Sequence, residues 1–185
     1  MKKLISMLVL TCLLFGTAFA EIWYPFGLTV EDDFMSAKTK VAEALADQDV
    51  DNSRFSSLRV NTYSYYLYDI PISQVIVNRP SGTEWRVLVS SDEMLKLSDN
   101  EANVYKLYKE LVAKLGEPIE FSPVIKKITF DGVVEESIFK DEETFLAELE
   151  KAQENDDIIA KFENCEMFIR STGGMYMSVD LYFER

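Results

Sequence analysis

Histidine is missing from all 185 residues. That removes Ser-His-Asp and Cys-His catalysis, histidine-ligated zinc and the commonest general base near neutral pH. Cysteine is almost missing too. Of the two, Cys12 falls in the leader described below, so Cys165 stands alone and no intramolecular disulfide can form. The fold must be held by its core. Beyond the first twenty residues no stretch approaches the ~18 apolar residues that a membrane helix needs. Basic residues are scarce, with 19 Lys and Arg against 32 Asp and Glu and a net charge of −13. Such a surface repels phosphate backbones and anionic membranes, and no basic stripe offsets it, so nucleic acid is excluded as a partner. The charge leaves room for cations or for a protein with a basic surface. No residue pattern calls for a cofactor.

The first twenty residues read as a cleavable signal peptide. Lys2 and Lys3 supply the positive start, Leu4 to Phe15 an apolar run, and Ala18-Phe19-Ala20 a small-residue cleavage site. Cleavage before Glu21 takes 20 residues from 185 and leaves 165, and the loss of both leader lysines brings the net charge to −15. The competing reading, a lipoprotein anchored through Cys12, fits poorly, because Val9-Leu10-Thr11 puts no small residue before that cysteine. The expectation is an exported, soluble chain, periplasmic or extracellular, with residues 21–185 as one domain. A chain of this length buries ~70% of its unfolded surface, enough to stand without staples.

What is present is organised around Ser98 to Pro118. Val104, Leu107, Tyr108, Leu111, Val112 and Leu115 recur at three- and four-residue steps and predict a helix with one broad apolar stripe. Ser98 and Glu101 have capping-box spacing, Gly116 suits a left-handed C-terminal cap, and Pro118 stops continuation. An earlier helix is expected from Thr29 to about Ala46, burying Phe34, Ala37, Val41, Ala42 and Leu45, and a third from Asp141 to about Glu154. The intervening runs predict strands. These are Leu58 to Tyr68 (ended by Pro71), Ile72 to Asn78, and Glu84 to Ser90 with Trp85, Val87 and Val89 on one face. A hairpin follows around Asp131-Gly132, then another from Ile158 to Arg170 and Met175 to Glu184 around Gly173-Gly174. The class is α+β, with an antiparallel sheet of about seven strands and three helices on one face. The order reads helix, three strands, helix, two strands, helix, two strands.

Candidate sites are few. Asp47, Asp49 and Asp51 have the alternate spacing that opens a calcium loop, but Asn52 replaces its glycine and Leu58 its bidentate glutamate, so the reading is a solvated acidic loop. Alternation puts Tyr66 and Tyr68 on the core side with Leu58 and Val60, leaving Tyr63 and Tyr65 for a binding surface together with Trp23 and Tyr24 of the aromatic opening. Cys165 alternates with Met167 and Ile169 and reads as a buried structural thiol. The chain thus reads as a non-catalytic binding protein with a basic protein as partner. The alternative is a carboxylate-dependent hydrolase of an envelope or extracellular polymer, which needs two carboxylates facing each other across a cleft.

Overall fold

The computed structural model describes residues 22–92, 95–124, 157–172 and 176–185, together with Glu143. The leader, the hairpin expected around Asp131-Gly132, the helix expected from Asp141 and the Gly173-Gly174 turn lie outside the described residues.

Among the described residues, nine antiparallel strands build one sheet: β1 (Asp49–Asp51), β2 (Ser57–Leu67), β3 (Ile70–Asn78), β4 (Arg86–Ser91), β5 (Leu95–Lys96), β6 (Glu120–Val124), β7 (Asp157–Lys161), β8 (Cys165–Thr172) and β9 (Tyr176–Glu184). They run β1-β2-β3-β4-β9-β8-β7-β6, and β5 extends the sheet against β9 beyond the end of β4. Among the described residues the helices α1 (Phe34–Ala44) and α2 (Leu97–Leu115) pack on the same face of it. The class is α+β with an antiparallel sheet. The element order differs from the expected one: β1, β5 and β6 are additional strands, and the run from Ile158 to Arg170 divides. Phe162, Glu163 and Asn164 turn the chain there, and β7 and β8 pair as a hairpin.

The apolar stripe of α2 is seated as its spacing requires. Val104, Leu107, Tyr108 and Leu111 are buried, with Val112 and Leu115 partly so. Gly116 takes a left-handed φ of 83°, and its amide donates to the Val112 carbonyl at 2.9 Å. The capping box does not form. Pairing of β5 with β9 carries extended structure up to Lys96, so the helix starts at Leu97 and Ser98 lies inside its first turn, donating to Asp99 at 3.0 Å. In α1, Phe34, Ala37, Val41 and Leu45 are buried as expected, but the cap is Asp33, whose Oδ1 accepts from the Ser36 amide at 2.8 Å. Thr29 belongs to the preceding turn.

That turn is held by Asp32, only 6% exposed. Its carboxylate accepts from the Thr29 amide at 2.7 Å, Ser36 Oγ at 2.6 Å and Lys40 Nζ at 2.8 Å. Its carbonyl accepts from Trp85 Nε1 at 3.0 Å and from Arg185. Burial alone pushes this carboxyl up; the hydrogen bonds from Lys40, Ser36 and Thr29 outweigh it and hold the pKa at about 2. Trp85 is fully buried and meets the Tyr24 ring edge-on at 5.0 Å, while Trp23 meets Phe183 at 5.8 Å beneath Lys114. The aromatic opening therefore closes one end of the core. No described helix is long and apolar enough to cross a membrane.

Candidate functional site

The face of the sheet turned away from α1 and α2 can be written as rows across the strands from their register. One row is Arg59, Ile76, Leu88, Tyr182, Glu166 and Lys161; the next is Asn61, Gln74, Ser90, Asp180, Phe168 and Ile159. The first carries apolar side chains between charged ends. The second begins polar, and it is tied sideways: Gln74 Nε2 donates to Asn61 Oδ1 at 3.2 Å, and Asn61 Nδ2 to Asp49 Oδ2 at 3.3 Å.

The tyrosines sit at the margin of this face, and their placement turns on a bulge. Leu58, Val60 and Thr62 point into the core, but between Asn61 and Tyr65 strand β2 spends three residues where β3 spends only Ser73. The Thr62 hydroxyl donates to the Ile72 carbonyl and fills the irregularity. Beyond it the inward side of β2 falls on odd-numbered residues. Tyr66, expected in the core, is 61% exposed, and Tyr65, expected opposite it, is half-buried against the Phe26 ring at 6.0 Å. Burial pushes the Tyr65 phenol above its ordinary pKa. Tyr63 is on the exposed side as read, 77% accessible, with its hydroxyl 3.4 Å from Asp49 Oδ2 and its amide capped by Gln48 Oε1 at 3.0 Å. Tyr68 closes the β2–β3 hairpin with Asp69, both at positive φ, and Pro71 lies within β3 instead of ending the strand. Of the aromatic opening, Trp23 is half-buried and Tyr24 is core. The exposed pair is thus Tyr63 and Tyr66. The signal that could have found Tyr66 is Ser73 on β3, which also interrupts the register with β4; a single strand read alone does not carry it.

The acidic and sulfur-bearing candidates take structural places. Asp49 and Asp51 are paired into β1, Asp51 accepting from the Ser53 amide at 2.9 Å, and no group of three His, Cys, Asp or Glu among the described residues could hold a metal. Cys165 is buried, and burial raises its thiol well above the ordinary value, the opposite of what a nucleophile needs. Three carboxylates line one depression of about 260 Å³ on this face, Glu163, Glu166 and Glu184. Two of them are ion-paired, Glu166 with Lys161 at 3.0 Å and Glu184 with Arg86 at 2.5 Å, over a floor where Phe168 and Tyr182 meet edge-on at 5.3 Å. Among the described residues, the carboxyl groups whose pKa moves, Asp32 and Asp51, both move down; a general acid needs the reverse. Compared with known proteins, the chain matches no family model, no curated protein and no solved structure.

Proposed function

We propose that this chain is an exported, non-catalytic binding protein that takes a protein partner with a basic surface through the margin of its sheet at Tyr63 and Tyr66. The observation that carries the reading is the exposure of both tyrosines on the face away from the helices, beside Asp49. Tyrosine gives large contact area at small entropic cost and is a typical interface anchor. The net charge, −13 for the full sequence and −15 once Lys2 and Lys3 are removed, would speed the approach of a basic partner and select it over others. Export rests on the sequence of the first twenty residues, and the mature chain should begin at Glu21 in mass spectra of secreted material.

The test is the double variant Tyr63→Ser, Tyr66→Ser. Both side chains stand outside the core, so circular dichroism and the melting midpoint should stay unchanged. Capture of a partner from a secreted or envelope fraction by the immobilised chain should be lost, and the unaltered chain should lose it progressively as salt rises. A double variant that folds and captures the same partner as well as the parent refutes the reading.

A further inference from the structure

A second depression, of about 500 Å³, lies on the same face near the ends of β4 and β8, lined by polar residues throughout. Part of its wall is committed to holding the sheet together. Ser73 Oγ donates to the Ser91 carbonyl at 2.8 Å; Ser91 Oγ accepts from the Val179 amide at 2.8 Å and donates to the Asp92 carbonyl at 2.9 Å. Ser91 thereby continues the ladder past the last β4–β9 backbone pair, Ser90 with Asp180, and fixes the spacing of the two strands. Gln74 spends its Nε2 on Asn61, which fixes the orientation of its amide.

The rest of the wall is built but unspent. Among the described residues, the Gln74 Oε1, the Ser90 and Ser178 hydroxyls and the Asp180 carboxylate have no hydrogen-bond partner. For Ser178 this stands out, because it is only 9% exposed, and a buried hydroxyl left unmade costs about 1–3 kcal/mol. The lining also contains Arg170, the register partner of Ser178 on β8.

We propose that this basin binds a neutral saccharide. Asp92 and Asp180 oppose an anion, and Arg170 opposes a simple cation. The residues that line the basin are all polar or charged, and no metal-binding cluster is present among the described residues. Adjacent acceptors and hydroxyls, held at fixed spacing, match a ligand whose neighbouring hydroxyls each donate and accept. Asp180 and Gln74 Oε1 take two of those donations, and the Ser178 hydroxyl gains the partner it lacks. This inference is independent of the tyrosine margin.

The test uses the isotope-labelled mature chain and four probes: methyl glycosides of glucose, galactose and N-acetylglucosamine, and the disaccharide cellobiose. Spermidine and inorganic phosphate serve as charged controls. At least one glycoside should shift the amide resonances of Gln74, Ser90, Ser178 and Asp180 saturably and raise the melting midpoint. Asp180→Asn should weaken that binding about tenfold or more. Ser178→Ala separates the inference from a structural role: without ligand it should leave the midpoint equal or higher, since an idle buried hydroxyl is removed, yet the glycoside-induced rise should vanish. No response to any of the four sugars overturns the proposal. So do shifts produced by spermidine or phosphate at the same amides, or a Ser178→Ala chain that keeps the full sugar-induced rise.

Discussion

The two faces of the sheet are written by the same strands and follow different rules. On β4, Val87 and Val89 are buried under the helices while Leu88 and Ser90, their immediate neighbours, are half-covered on the other side. On β9, Met177, Leu181 and Phe183 oppose Asp180, Tyr182 and Glu184. The helix-covered face is uniform in chemistry and close to completely buried, so any lost methylene is felt there. The other face is a mosaic of ion pairs, amides, hydroxyls and half-buried aromatics, in which each position answers to its cross-strand neighbours. Burial dominates the first face and cross-strand pairing of mixed chemistry the second.

The comparison is broken most forcefully from the covered side. Leu111→Ala removes a fully buried side chain from α2 and should cost about 2–5 kcal/mol, measured by denaturant unfolding. An unchanged midpoint would mean that α2 does not anchor that face. Next comes the Asp32 hub. A carboxyl with an ordinary value of 3.8 and a native value of about 2 is worth about 2 kcal/mol to the folded state. Because the native pKa is the lower one, this contribution is complete above about pH 4 and disappears as pH falls towards 2. Asp32→Asn should destabilise the chain at neutral pH and flatten that acid limb; an acid limb identical to the parent's would remove Asp32 as its source. The finest test uses neighbours. Val89→Ala should cost about 2 kcal/mol, counting both lost methyl groups and the cavity they leave, whereas Leu88→Ala deletes more atoms yet should cost about 1. Equal losses would mean that the second face is packed as tightly as the first.

Much of the covered face was legible in the sequence. The stripe on α2, the inward set on α1 and the alternation through Val87, Val89, Leu181 and Phe183 depend on a period within one element, and a period survives without knowledge of partners. Where neighbours decide, the reading failed. Ser98 lost its cap because β5 pairs with β9, and Thr29 lost its own to Asp33 because Asp32 is drawn under Trp85 and Arg185. Tyr65 and Tyr66 exchanged sides because a bulge shared by β2 and β3 shifts the phase, and a one-residue shift exchanges every later side chain. The polar basin was invisible for the same reason. Gln74, Ser90, Ser178 and Asp180 lie on three strands, and only register brings them together.

The position of β9 has a temporal consequence. It lies between β4 and β8, so residues 176–184 join the β1–β4 meander to the β6–β8 one. Synthesis and emergence run from residue 1, and β4 must wait for a partner 98 positions further on, as Arg86 does for Glu184. Until then the half-made sheet presents the bare hydrogen-bonding edge of Val87, Leu88 and Val89, an apolar strand with every opportunity to pair with another copy. Closure of so distant a pairing is also slow, since the loop entropy is lost before the contacts are made. The interval between the appearance of β4 and the arrival of β9 is therefore when this chain most needs a chaperone, and the central strand that makes the finished sheet continuous is the one that makes its birth hazardous.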